Sequence, residues 1–307
     1  MAINLPRVDD VSTIGALLEQ PIEVDYWESL EQWVALHSSQ EVVDRGRLLG
    51  LAVTELGSSA DGGVRRSPLP AGACVRSLEG ATVVNLSSLW AGPLAAALLG
   101  EVGMDVVHVE STNRPDGARG EPAFFDWLHS PSHRHLTFDF SQQRDLGALG
   151  ELIDSADVII EGSRPRALEH LGLDAAHRSL RSGAIWVSIT GYGRDHPQLI
   201  AFGDDAAVAG GLVGHDEEGA PVFCGDAIAD PITGITAACA VLDAWKTGGG
   251  EFLDISLAAS AGSVVTGGAW PAEKVPVMEV TGEGWLAIFQ GENFAIREPS
   301  APSRQAS

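Results

Sequence analysis

Ala81-Thr82-Val83-Val84-Asn85-Leu86, the run 93–101, and Asp105-Val106-Val107-His108-Val109-Glu110 decide how this chain folds. The first and third stretches are short, apolar and rich in valine, which suits strands buried on both faces. The Ala/Leu-rich run between them opens at Gly92-Pro93, and proline is favoured in the first turn of a helix. Strand, helix and strand in that order make a right-handed parallel unit. The alternation continues outward, with strands at 136–140, 157–161, 184–190 and 252–257 and helices at 142–155, 166–171 and 232–245. This pattern predicts an α/β fold with an open, mostly parallel, Rossmann-like sheet and helices on both faces.

The flanks read differently. Ile14, Leu17 and Leu18, then Trp27, Leu30, Trp33, Val34 and Leu36, recur at helical steps and imply an N-terminal helical segment over 1–60. Gly57, Gly62, Gly63, Pro68, Pro70 and Gly72 give 61–80 the composition of a linker. The α/β domain then covers 81–265. Beyond it, 277–280 and 285–289 can pair as a hairpin, and the polar end from Pro299 to Ser307 reads as disordered. The N-terminal helices and the tail 266–307 are expected to build a smaller domain together.

With 45% hydrophobic and 20% charged residues, the chain has the composition of a soluble globular protein. A formal net charge of −23 argues against nucleic acid or an anionic membrane as partner. An anionic ligand would need a local basic site, and Arg134, Arg164 and Arg166 are candidates for it. Cys74, Cys224 and Cys239 form no metal spacing with the histidines, so no metal is expected, and their use suits a reducing compartment. The first ten residues show no signal-peptide pattern and no apolar run is long enough to span a bilayer, so a cytoplasmic location is expected.

In a parallel sheet, ligands bind beyond the carboxyl ends of the strands. Three loops take that position: Ser87-Ser88-Leu89-Trp90-Ala91-Gly92-Pro93, Gly162-Ser163-Arg164-Pro165-Arg166 and Gly191-Tyr192-Gly193-Arg194. None is a dinucleotide fingerprint or a P-loop. Asp230-Pro231 precedes the apolar helix expected from Ile232, so Asp230 reads as its cap, with its carboxylate at a helix mouth that favours the ionised form. Val83-Val84-Asn85-Leu86 with Ala91-Gly92-Pro93, the block 98–110, Ala156-Asp157-Val158-Ile159-Ile160-Glu161 with Arg164-Pro165, Leu171-Gly172-Leu173, the block 187–193, Ala229-Asp230 with Thr233-Gly234, and the block 247–257 together resemble the family III CoA-transferases. That superfamily includes formyl-CoA transferase, carnitine CoA-transferase and α-methylacyl-CoA racemase.

The resemblance implies that Asp230 is the catalytic carboxylate. It also implies that Ser88, Leu89, Trp90 and Ala91 face coenzyme A, with Phe140, Gly162, Ser163, His170 and Leu171 along the same cleft; Arg166 is added as a phosphate partner. Acyl-CoA and a small carboxylic acid would be the substrates, and an interlocked homodimer the assembly. A carboxylate is a competent nucleophile toward an activated thioester, which gives CoA transfer its route through an aspartyl anhydride and an aspartyl-CoA thioester. The glycines at 210–211 or 248–250 could cover such an intermediate. Two other readings stand beside this one. A racemase needs two acid/base groups, and Asp204 or Asp205 would have to partner Asp230, because the expected histidine is lacking and His215 reads as solvated. A non-catalytic acyl-CoA-binding subunit fits the short smaller domain.

Overall fold

A computed structural model describes residues 1–21, 26–59 and 63–265, and the backbone of three strands beyond them. The elements in chain order are β1 (Ala2–Asn4), α1 (Val8–Leu18), α2 (Tyr26–Ala35), α3 (Ser39–Leu48), β2 (Ala52–Thr54), β3 (Val64–Pro68), β4 (Thr82–Asn85), α4 (Ala91–Glu101) and β5 (Asp105–Ser111). There follow α5 (Pro122–Leu128), β6 (Arg134–Phe138), α6 (Gln143–Ser155), β7 (Val158–Glu161), α7 (Pro165–His170), β8 (Ile185–Thr190) and α8 (Gly203–Ala209). Then come β9 (Gly214–His215), β10 (Pro221–Val222), α9 (Ala229–Lys246), β11 (Glu251–Ser256), α10 (Leu257–Ser263), β12 (Val277–Thr281), β13 (Gly284–Phe289) and β14 (Glu292–Ile296).

The main sheet has seven strands in the order β3-β11-β8-β7-β4-β5-β6, all parallel except β3. The expected α/β architecture is therefore present. The order of strand addition switches sides at β4: it pairs in parallel with β5 on one side and with the later β7 on the other, which opens a crevice beyond their carboxyl ends. Val158, Ile159, Ile160 and Glu161 are all buried, so β7 shows no polar face, as a strand covered on both sides requires. One face packs Val83, Ile160, Val187 and Leu253 against α4 and α9; the other packs Val84, Ile159 and Trp186 against α6 and its neighbours.

Several expectations are corrected. The stretch 61–80, read as a linker, contributes β3, which pairs antiparallel with β11 from Glu251↔Pro68 to Ile255↔Val64. The sixth strand starts at Arg134, two residues before the expected 136. Helix α9 begins at Ala229, so Asp230 lies inside its first turn and is not its cap. The N-terminal helices close a separate core of Ile14, Leu17, Leu30, Val42, Val43, Leu51 and Val53. The expected hairpin is present as β12 and β13, with β14 added as a third antiparallel strand. The joint small domain falls partly on 266–276, and the end from 299 to 307 wholly, outside the described residues. No helix among the described residues is long and apolar enough to cross a membrane.

Candidate active site

Helix α9 leads by a tight turn into the amino end of β11, so its own amino end lies at the carboxyl edge of the sheet, beside the crevice. That turn is made by Gly248, Gly249 and Gly250, all at positive φ. They sit at the opposite edge from Asp230 and are not a cover for it. Gly210 and Gly211 close the end of α8, where Gly211 has φ 80°.

Asp230 lies where three helix starts meet. The backbone N–H groups of Ala91, first in α4, and Gly203, first in α8, act on its carboxylate and favour the anion. Close approach is built in with glycine. A β-carbon on Gly234 would lie 2.7 Å from the Ala91 carbonyl oxygen, and one on Gly203 would lie 2.3 Å from Asp230 Oδ2. Any side chain at either position would push the helices or the carboxylate away.

Two further carboxylates stand beside it. Asp204 accepts the Ala227 N–H at 2.8 Å. Asp205 is fully buried; its Oδ1 accepts the Phe202 N–H at 2.9 Å and the Asn4 amide at 3.1 Å, while Oδ2 has no hydrogen-bond partner among the described residues. Burial pushes Asp205 up to about 7, against the hydrogen bonds that hold it down. Asp230 keeps a route to solvent, yet it is packed closely enough that burial is the largest influence, and the charges of Asp204 and Asp205 add to it. Its carboxyl is raised to about 7. The helix-mouth argument alone expected a stabilised anion, and the tertiary neighbours reverse it.

The Asn4 contact ties the N-terminal unit to this site. Gly57 and Ser59 N–H groups donate to the carbonyls of Val208 and Ala209 at 2.9 Å each, and the Arg7 guanidinium lies 5.8 Å from the centre of the Phe202 ring.

The residues expected to contact CoA are not all presented alike. Ser88 and Leu89 are exposed, Trp90 is half-buried against Phe124 at 5.0 Å, and Ala91 is buried with its N–H toward Asp230. Leu89 has φ 68°, held by Asp116 Oδ1, which accepts its N–H at 3.0 Å. Gly162 is exposed next to this loop; a β-carbon there would lie 3.2 Å from Ser87 Cβ. The two loops thus form the walls of the crevice. Arg166 and His170 are exposed on α7, and Arg164 and Arg166 make no ion pair among the described residues. Phe140 and Leu171 are half-buried and pack against the apolar cluster on the α6 face, and half-buried Ser163 donates its hydroxyl to Glu161 at 3.0 Å. Arg134 heads β6 and lines a cleft of about 580 Å³ at the amino edge, with Thr82, Glu101 and Asp105, far from the crevice. None of Asp204, Asp205 and Asp230 lines that cleft.

Sequence reading missed Glu161 as a buried acid. It is 2% exposed, pairs with Arg194 at 3.0 Å, and burial raises its carboxyl above the ordinary range. Its position at the end of an all-apolar strand was the available signal. His215 is exposed in β9, as expected.

A family model described as CoA-transferase family III matches residues 78–284. An acyl-CoA transferase from Fusarium pseudograminearum is 30% identical over 249 residues, 73% of this chain and 52% of its own length. A succinate–glutarate CoA-transferase from Agrobacterium fabrum is 30% identical over 203 residues, 59% of this chain and 50% of its own. The chain therefore spans about half the length of these relatives. A CAIB/BAIF family protein from Brucella suis has a similar fold, with a TM-score of 0.55 at 24% identity over 73% of this chain and 66% of that one.

Proposed function

Because this chain belongs to CoA-transferase family III, we propose that it moves CoA between an acyl-CoA thioester and a free carboxylic acid, with Asp230 as the group carrier. The observation that supports this most strongly is the setting of Asp230. It is the one acid of the trio that combines solvent access, the influence of the Ala91 and Gly203 N–H groups and a place beside the 87–91 loop at the crevice.

An Asp230 oxygen attacks the thioester carbonyl; the C–S bond breaks, CoA leaves as thiolate, and a mixed anhydride forms. The thiolate then attacks the aspartyl carbonyl and expels the donor acid, leaving an aspartyl-CoA thioester. The acceptor carboxylate repeats the cycle in reverse and departs as its CoA ester. The Ala91 and Gly203 N–H groups are suited to hold the negative charge that develops on each tetrahedral oxygen. The adenosine end would lie over Ser88, Leu89 and Trp90 and between the 87–91 and 162–166 loops, with Arg166 or Arg164 toward phosphate. By the family resemblance an interlocked homodimer completes the site; exposed Phe223 and Ile235, near the start of α9, are surfaces such a partner would cover.

Proton transfer at the α-carbon by Asp204 or Asp205 with Asp230 has weaker support. Asp205 is sealed from solvent and Asp204 is engaged by Ala227. The test is chromatographic: succinyl-CoA incubated with glutarate and a panel of other small carboxylic acids, with Asp230→Asn as control. New acyl-CoA esters formed only by the unaltered protein support transfer. Solvent deuterium entering the α position without any new ester would move the assignment to the racemase chemistry, and CoA binding with neither product to a binding subunit.

A further inference from the structure

Four histidines that the proposed transfer does not use crowd the β5–β6 edge. The ring of His108 lies 4.2 Å from that of His129 and 5.2 Å from those of His133 and His135, centre to centre. Among the described residues no group of three or more His, Cys, Asp and Glu has the geometry to hold a metal. Their hydrogen bonds instead define a direction.

Asn85 Oδ1 accepts the Ser87 N–H at 3.1 Å and also the Ser87 hydroxyl, which assigns the amide oxygen to that side. Its NH2 group donates to the Ser87 carbonyl at 3.3 Å and lies 3.0 Å from His108 Nδ1. That nitrogen must accept, so His108 carries its proton on Nε2, which is 3.1 Å from His133 Nδ1. His133 Nδ1 accepts in turn and its proton sits on Nε2, beside Gly100, where His133 lines the amino-edge cleft. The chain of bonds runs from solvent at one edge of the sheet to the loop at the other.

We propose that His108 and His133 are positioning residues for the 87–91 loop, and that acid reaching His133 from the amino-edge cleft releases it. The inference rests on that loop being the one that meets CoA. A proton on His133 Nδ1 would face the Nε2–H of His108, donor against donor. Relieving that conflict moves the His108 proton to Nδ1, against the Asn85 amide, and Asn85 can then hold Ser87 only by turning its NH2 toward the Ser87 N–H. The loop loses its anchor.

The other groups facing these rings do not supply an escape. His129, at the end of α5, is buried with no hydrogen bond to either ring nitrogen among the described residues, and lies 3.5 Å from Asp116. His135 bonds the His129 carbonyl at 3.0 Å. Asp116, the acid on this side, is turned to the Leu89 and Ala118 N–H groups at 3.0 and 2.9 Å, so it anchors the same loop. In the cleft His133 shares the lining with Arg134 and with the acids Glu101 and Asp105, so both signs of charge face it from that side. Burial first, then the neighbouring imidazoles, hold His133 down to about 4 and His108 to about 2, from an ordinary 6.5. A released His133 regains its ordinary value. The hold is therefore complete above about 6.5 and weakens roughly tenfold per pH unit as pH falls toward about 4.

The experiment is amide hydrogen exchange of residues 87–91 between pH 7.5 and 5, corrected for intrinsic rates, in the unaltered chain, His133→Ala and His135→Ala, with ring ¹⁵N shifts to read tautomers. Protection should fall about tenfold per unit below pH 6.5 in the unaltered chain and in His135→Ala, and stay level in His133→Ala. Both His108 and His133 should show Nε2–H. An Nδ1–H tautomer at His108, a level profile in the unaltered chain, or an unchanged slope in His133→Ala would each overturn the proposal. If His133→Ala does not fold, the tautomers of the unaltered chain decide. A CoA titration at pH 8 separates the two readings: loop protection that follows His133 in a protein that binds no CoA upholds the relay and removes the CoA assignment.

Discussion

The acids at the carboxyl edge and the histidines at the β5–β6 edge are two crowded titratable clusters that burial drives in opposite chemical directions to the same end. Asp205 and Asp230 are raised to about 7, whereas His133 and His108 are lowered to about 4 and 2. Each cluster moves toward its neutral form, because like charges in a poorly solvated space repel and lose hydration. The difference lies in what remains available. Asp230 keeps solvent access and backbone N–H groups that favour its anion, so the anion is reachable near neutral pH; His108 is buried, accepts from Asn85 and stays neutral. One cluster is suited to gain and lose charge during a reaction, the other to hold shape only while it does not.

The strongest way to break this contrast is Asp230→Asn. It should lower transfer by roughly 10³-fold or more, because a carboxamide cannot form the anhydride, while CoA still binds in a calorimetric titration. Gly203→Ala should cost roughly 10²-fold in kcat, since its β-carbon falls 2.3 Å from Asp230 Oδ2 and 2.4 Å from the Ala227 carbonyl oxygen and must displace the carboxylate. A crystal structure of the variant would show the shift.

Asp205→Asn sharpens the electrostatic half. Oδ1 can still accept its two hydrogen bonds, and the NH2 takes the place of the unpartnered Oδ2. The rising limb of the pH–rate profile, set by Asp230 near 7, should move down by about one unit. The sign for stability follows from raised acids: their contribution is complete below the ordinary 3.8 and lost as pH rises through about 7. Denaturant melts at pH 8 should therefore find the variant more stable by roughly 1–3 kcal/mol, and at pH 4 nearly unchanged.

Asp116→Asn should give the smallest effect and the opposite sign. Burial raises this acid, but the His129 ring 3.5 Å away and the hydrogen bonds from the Ala118 and Leu89 N–H groups outweigh it and hold it below its ordinary value. Its contribution is present above about 3.8 and lost in acid, so the variant should be destabilised by roughly 1 kcal/mol at pH 7 and less as pH falls.

What could be read from residues alone follows the same divide between local pattern and tertiary environment. Strands β4, β5, β7 and β8 were legible because their central residues are buried on both faces and each is built around valines or isoleucines. Strand β3, Val-Arg-Arg-Ser-Pro, was not: it is an exposed antiparallel edge whose arginines reach Asp254 and Asp243, partners remote in sequence. Helix α8 hid for a related reason, being seven residues long with two acids in its first turn. Asp230 stands out in the sequence through the motifs around it. Its raised acidity does not, because that depends on Asp204 and Asp205 arriving from another helix. Phe140 and Leu171, placed along the crevice by resemblance, also pack against the apolar cluster on the α6 face, a contact no local pattern announces. Arg134 changed edges because β6 begins at it.

The measurement that tests the central assignment most directly is intact mass of the protein after mixing with an acyl-CoA, trapped with hydroxylamine or borohydride and mapped by peptide digestion. The account predicts a modification on Asp230, formed faster above pH 7 than below it and missing in Asp230→Asn. Production of new CoA esters with Asp230 unmodified under trapping, or a modification mapped to Asp204, Asp205 or Glu161, would contradict it.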